Sequence, residues 1–72
     1  MRDIRQMREL VGLSQIALAR RAGVSRMRLQ LAEAGELELR PEENSALRKA
    51  VGDQAASLQR ELSAQGLVPA TV

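Results

Sequence analysis

The chain contains no cysteine, histidine, phenylalanine, tyrosine or tryptophan, and each absence removes a class of chemistry. Without Cys or His there is no zinc site of the usual kind, no thiol nucleophile, no haem ligand and no imidazole general base. No metal, no cofactor and no catalytic residue is therefore expected, and the chain does not read as an enzyme. Without aromatic rings there is no stacking platform for single-stranded nucleic acid. Zero cysteines also exclude a disulfide-stapled miniprotein. Long apolar runs are missing too: nothing approaches the roughly 18 consecutive apolar residues that cross a bilayer, and the start MRDIRQMREL has no signal-peptide core. A cytoplasmic protein with no membrane partner is the expectation. Seventy-two residues allow one small domain, which buries only about 60% of the surface its unfolded chain exposes.

What is present is arginine. Ten of the eleven basic side chains are Arg, and the formal net charge is only +2. The isoelectric point near 10.4 overstates the field, because no His, Cys or Tyr titrates in the middle of the pH range. The distribution of charge says more. Residues 1–34 carry Arg2, Arg5, Arg8, Arg20, Arg21, Arg26 and Arg28 against Asp3, Glu9 and Glu33, a net of +4, whereas residues 35–72 sum to −2. Arginine is suited to bidentate contacts with phosphate and guanine, although a GC-rich genome produces the same bias.

The five glycines, Gly12, Gly23, Gly35, Gly52 and Gly66, each follow a stretch with helical apolar spacing, where a residue of positive φ ends a helix. The expected fold is all-α, a compact bundle of five short helices. The first has Ile4, Met7 and Val11 on one face. The second and third begin after Ser14 and Ser25, both good N-caps. The fourth opens at Pro41, with Glu42 and Glu43 matching the positive end of its dipole and Leu47, Ala50 and Val51 inward. Asp53 is read as the cap of a fifth, spanning 53–65, with Ala55, Leu58 and Leu62 at spacings of three and four. The domain then covers residues 1–66, and 67–72 is a frayed tail.

The segment QIALARRAGVSRMRLQLAEA, residues 15–34, carries the functional signal. Two short helices joined by Gly23-Val24-Ser25 must cross steeply, and Ala19 supplies the small residue their close approach needs. Leu18, Ala22, Val24, Leu29 and Ala32 face the shared core, leaving Arg26, Met27, Gln30 and Leu31 to project outward. That pattern is a helix-turn-helix. It resembles the phage-repressor-type (Xre, lambda-repressor-like) family through Gly12-Leu13-Ser14-Gln15, Leu18-Ala19, Ala22-Gly23-Val24-Ser25, Leu29, and Glu33 followed by Gly35. The likeness spans roughly residues 2–52.

The resemblance implies a five-helix bundle that binds double-stranded DNA, usually as a homodimer, with the third helix in the major groove. It places base reading on Arg26, Met27, Gln30 and Leu31, and backbone contact on Gln15, Ser25, Arg28 and Arg8. Arg26 suits guanine, whose O6 and N7 its fork can engage together. Gln30 suits adenine or a phosphate. Met27 and Leu31 stand where the family commonly has polar residues; they pack on thymine methyls or belong to a protein contact. Arg8 pairs with Glu33 in the family pattern and orients groups toward phosphate; the plain alternative is a surface ion pair worth about 0–1 kcal/mol.

The charges of the third helix point to a polyanion without the resemblance. Arg26 and Arg28 fall in the first turn of the third helix, where the dipole disfavours cations by about 0.3–1 kcal/mol each. Such local conflicts often mark function, and a polyanion would offset the cost; the alternative is a pair of solvated surface arginines.

The stripe Val51, Ala55, Leu58, Leu62 is too short for a coiled coil. Either it closes the monomer core or, through Leu58 and Leu62 with Leu67 and Val68, it forms a dimer interface. Ile16, Leu37 and Leu39 add apolar surface, and a domain this small with surplus leucine tends to associate. Three functions fit: a sequence-specific transcriptional regulator reading a two-fold operator, an antitoxin that represses its own operon and holds a toxin, or a protein–protein module on a helix-turn-helix scaffold. A protein partner, toxin or other regulator, thus stays open beside DNA.

Overall fold

The structure, a computed structural model, describes residues 3–66; the tail expected at 67–72, with Leu67 and Val68, lies outside the described residues. Four helices follow one another: α1 (Ile4–Leu10), α2 (Gln15–Ala22), α3 (Arg26–Glu33) and α4 (Pro41–Ala64). Side chains cap the first three. Asp3 accepts from the Gln6 N–H at 2.9 Å, Ser14 from Ala17 at 3.0 Å and Ser25 from Arg28 at 3.2 Å. At α4 the order is reversed: the Glu43 carboxylate reaches back to the Arg40 N–H at 2.9 Å, the glutamate half of a capping box.

The described residues form four helices where five were expected. Gly52 lies inside α4, while Gly12, Gly23, Gly35 and Gly66 adopt positive φ. A glycine within a helix costs about 1 kcal/mol against alanine, too little to end a helix by itself, and Gly52 lacks the positive φ with which the other four turn the chain. Asp53 does not cap a fifth helix. It accepts instead from Lys49 one turn earlier at 2.9 Å, in an exposed pair.

Gly23 shows what a terminating glycine does here. At φ 72° it turns the chain so that its own N–H bonds the Arg20 carbonyl and the Val24 N–H bonds the Ala19 carbonyl at 3.0 Å. This pairing consumes the last carbonyls of α2 and folds Val24 back against the core.

The core is aliphatic: Ile4, Leu13, Leu18, Ala19, Leu29, Leu47, Ala50 and Val51. Leu18, Leu29 and Leu47, one from each of α2, α3 and α4, are fully enclosed. Helix α2 is the hinge piece, packed against both α3 and α4, while α1 lies on α4. Helix α4 is about 36 Å long at 1.5 Å per residue over its 24 residues, longer than the bundle it supports. Beyond Val51 none of its residues enters the core: Leu58 is half-buried, Ala55 exposed and Leu62 43% exposed. Val51 therefore closes the core and the rest of the stripe does not. No helix among the described residues is long and apolar enough to cross a membrane.

Candidate nucleic-acid interface

The two serine caps set the geometry of the interface. Each ends an extended residue and starts a helix, so Gln15 and Arg26 stand at the first helical positions of α2 and α3. Fully buried Leu29 fixes the rotation of α3 about its axis. Arg26, Met27 and Gln30 then face solvent, with Leu31 half-buried beside them. These four sit at i, i+1, i+4 and i+5, one stripe of a helix. The residues expected to read bases therefore share one face, although Leu31 projects less than its neighbours.

A polar network ties that face to α1. Arg8 Nε donates to Glu33 Oε2 at 2.8 Å and Nη2 to Oε1 at 2.9 Å, while Nη1 donates to the Leu13 carbonyl at 2.9 Å. Gln15 Nε2 donates to the same Glu33 Oε1 at 3.0 Å. The pair is no surface ornament, since the two side chains are 11% and 5% exposed. Burial pushes the Glu33 carboxyl up, but hydrogen bonds from Arg8 and Gln15 and the nearby charges of Arg8 and Arg5 outweigh it, and the group ends below its ordinary value. The hydrogen bond to Glu33 raises Arg8 above the usual arginine value against the opposing effect of burial. The assembly is neutral within itself and holds the Gln15 amide through its hydrogen bond to Glu33. Gln15, Gln30, Arg5 and Arg8 line one shallow cleft of about 270 Å³ with Glu33 and Ala34, so the first residue of α2 and the second turn of α3 border the same space.

Arg28 is placed differently from its neighbours. Its Nε and Nη2 donate to Glu43 Oε2 and Oε1 at 2.6 and 2.7 Å, a bidentate fork across to the first turn of α4. The Arg28 hydrogen bond holds the Glu43 carboxyl down to about 2, helped by the Arg40 N–H. The dipole conflict read from Arg28 is thus answered inside the protein, by a carboxylate. Arg26, by contrast, is exposed and has no ion-pair partner among the described residues.

Three features go beyond the sequence pattern. Glu43 matches the dipole of its own helix, and nothing in the spacing of residues 28 and 43 signals their pairing. Leu13 belongs to the motif and also to the core, where it is buried; an apolar residue directly after a terminating glycine is the signal for that role. Leu10 is 64% exposed, with no signal for it in the helical spacing.

A family model described as helix-turn-helix matches residues 4–52, more than half of the chain. The chain belongs to the Xre, lambda-repressor-like helix-turn-helix family. This is a family of DNA-binding regulators, and the matched segment ends at Gly52, where the core contribution of α4 has just been completed. The remaining turns of α4 are outside the match. No curated protein and no solved structure matches the chain at a significant level.

Proposed function

We propose that this Xre-family chain is a sequence-specific regulator that binds double-stranded DNA as a homodimer, with α3 in the major groove. The observation that carries the reading is the solvent-facing stripe Arg26, Met27 and Gln30, held in rotation by Leu29 and braced from α1 through Arg8 and Glu33. Arg26 has both guanidinium edges available for guanine, Gln30 matches adenine or a phosphate, and Met27 with Leu31 offers apolar contact to thymine methyls. Gln15 and Ser25, at the positive ends of α2 and α3, are the backbone contacts, with Arg8 acting through Glu33 to aim Gln15.

Leu58 and Leu62 lie on the part of α4 that extends past the core, which supports a second copy as its partner. Two copies would read half-sites about one helical turn apart. Selection of bound duplexes from a random pool tests this directly. A two-fold motif with that spacing is the expected result; a pool that stays unenriched overturns it.

One observation favours a second reading, a protein-binding module. Met27 is 70% exposed at the centre of the stripe, a large apolar side chain offered to solvent. Salt separates the two, because each phosphate contact adds about 0.9 to the slope of log affinity against log salt, and an apolar protein contact adds almost none.

A further inference from the structure

On the reading that α3 meets DNA, the ion pair between Arg28 and Glu43 has a consequence for how the helix meets the phosphate backbone. We propose that Glu43 sets how many phosphates α3 contacts: by holding the Arg28 guanidinium it keeps that cation off the phosphate backbone and leaves Arg26 as the cation of α3 that DNA meets. The two arginines are only two positions apart, both in the first turn of the helix. Their surroundings differ completely. Arg28 spends two of its nitrogens on one carboxylate at 2.6 and 2.7 Å, and its side chain is one-third exposed. Glu43 is the better buried partner at 13%, and its Oε1 also accepts the Arg40 N–H.

Electrostatics favours this arrangement on both sides. A cation in the first turn of α3 opposes the dipole there, whereas an anion in the first turn of α4 is favoured by its own. Pairing the two cancels the unfavourable charge with one already stabilised. The fork also ties the N-terminal turn of α3 to α4 in a fixed geometry.

The effect on recognition follows from how DNA is bound. A free arginine at the mouth of the groove attracts phosphate on any sequence, which strengthens specific and non-specific complexes alike. A neutralised one contributes little to either. Glu43 thereby lowers the phosphate-driven affinity for cognate and other duplexes by the same factor and makes binding less sensitive to salt.

The test compares the wild-type chain with Arg28→Ala, Glu43→Ala and the double variant, on the duplex enriched by selection and on a labelled duplex of mixed sequence. Fluorescence anisotropy follows binding from about 50 to 200 mM salt, and circular dichroism confirms folding. The expected results are an unchanged salt slope for Arg28→Ala, a slope steeper by about 0.9 on both duplexes for Glu43→Ala, with the ratio between their affinities unchanged, and return to the wild-type slope in the double variant. A slope lowered by about 0.9 in Arg28→Ala would show that Arg28 already touches phosphate and would overturn the proposal. So would a Glu43→Ala slope equal to wild type. If Glu43→Ala does not fold, the Arg28→Ala slope decides alone. Wild-type protein that binds neither duplex removes the DNA reading itself and this proposal with it, a result distinct from a misassigned pair.

Discussion

Arg8 of α1 and Glu33 at the end of α3 are 25 positions apart and form two hydrogen bonds, at 2.8 and 2.9 Å, with both side chains largely shielded from water. Cutting one partner away strands the other charge in that shielded site, which costs roughly 3 kcal/mol for a buried pair. Arg8→Met is expected to lower the thermal midpoint by more than 10 °C, given about 4–8 °C per kcal/mol in a domain of this size. The double variant Arg8→Met, Glu33→Met should recover most of that loss, because no unpaired charge remains. It should still bind duplex DNA more weakly than wild type, since Gln15 has lost the carboxylate that aims it. Thermal unfolding of the three proteins checks the first statement and a gel shift the second; a double variant as unstable as the single would contradict the buried-charge account.

Glycine substitutions distinguish the continuous α4 from two shorter helices. A Cβ added at Gly52 meets nothing within 4 Å, and the backbone there is helical. Gly52→Ala should therefore raise stability by about 1 kcal/mol. At Gly23 the space is equally open, but φ is 72°, a conformation that costs an L-residue about 1–2 kcal/mol. Gly23→Ala should lower stability by that amount. Denaturant titration reads both, and a destabilising Gly52→Ala would return Gly52 to the role of a helix terminator.

These two glycines also mark what the sequence made legible. Four of five glycine stops, the caps Ser14 and Ser25 and the helix-turn-helix register were readable because each is a local device, settled by the residue itself and its neighbours within a turn. Gly52 has the same composition signal and a different outcome, because its backbone stays helical and only a positive φ, which the residue type permits but does not impose, turns a glycine into a stop. The site divides in the same way. Arg26, Met27 and Gln30 follow from helical periodicity once Leu29 is placed inward, and Arg8 with Glu33 follows from family resemblance. The partner of Arg28 depends on how the loop from Ala34 to Arg40 brings α4 across α3, which no pattern within either helix specifies.

Acid should unfold the protein in a window set by its paired carboxylates. Glu43 titrates near 2 in the folded chain against an ordinary 4.5, and Glu33 is also lowered. A depressed carboxyl contributes stability that is fully present above its unfolded value and is lost as pH falls through the folded one. The thermal midpoint should thus change little from neutrality down to about pH 5 and fall between about pH 5 and 2. Glu43→Gln should start lower and lose less over that range. An acid dependence of Glu43→Gln as steep as wild type would remove Glu43 from the account.

Base reading by α3 separates two kinds of contact. Arg26→Ala should cost about 1–3 kcal/mol at a cognate guanine and flatten the preference at that position. Gln15→Ala should weaken binding to all duplexes by similar factors, as loss of a backbone contact does. Competition gel shifts on single-base variants of the selected duplex measure both. Unchanged base preference in Arg26→Ala would move recognition away from the first turn of α3.

The remaining prediction concerns the far end of α4. Leu62 is 43% exposed and outside the core, so a charged substitution there meets solvent in the isolated chain. Surface changes of this kind usually shift stability by no more than about 0.5 kcal/mol. Leu62→Glu should accordingly leave the unfolding of the monomer almost unaltered. In a dimer held through Leu58 and Leu62 the same change places two like charges against an apolar contact, and the sedimenting mass should fall from two chains to one. Binding to a two-fold duplex should weaken with it, while binding to a single half-site should not, because one α3 is enough to read one half. If Leu62→Glu sediments as wild type does and binds both duplexes equally well, the dimer is formed by some other surface, and the exposed apolar residues Leu10 and Ile16 become the next positions to change.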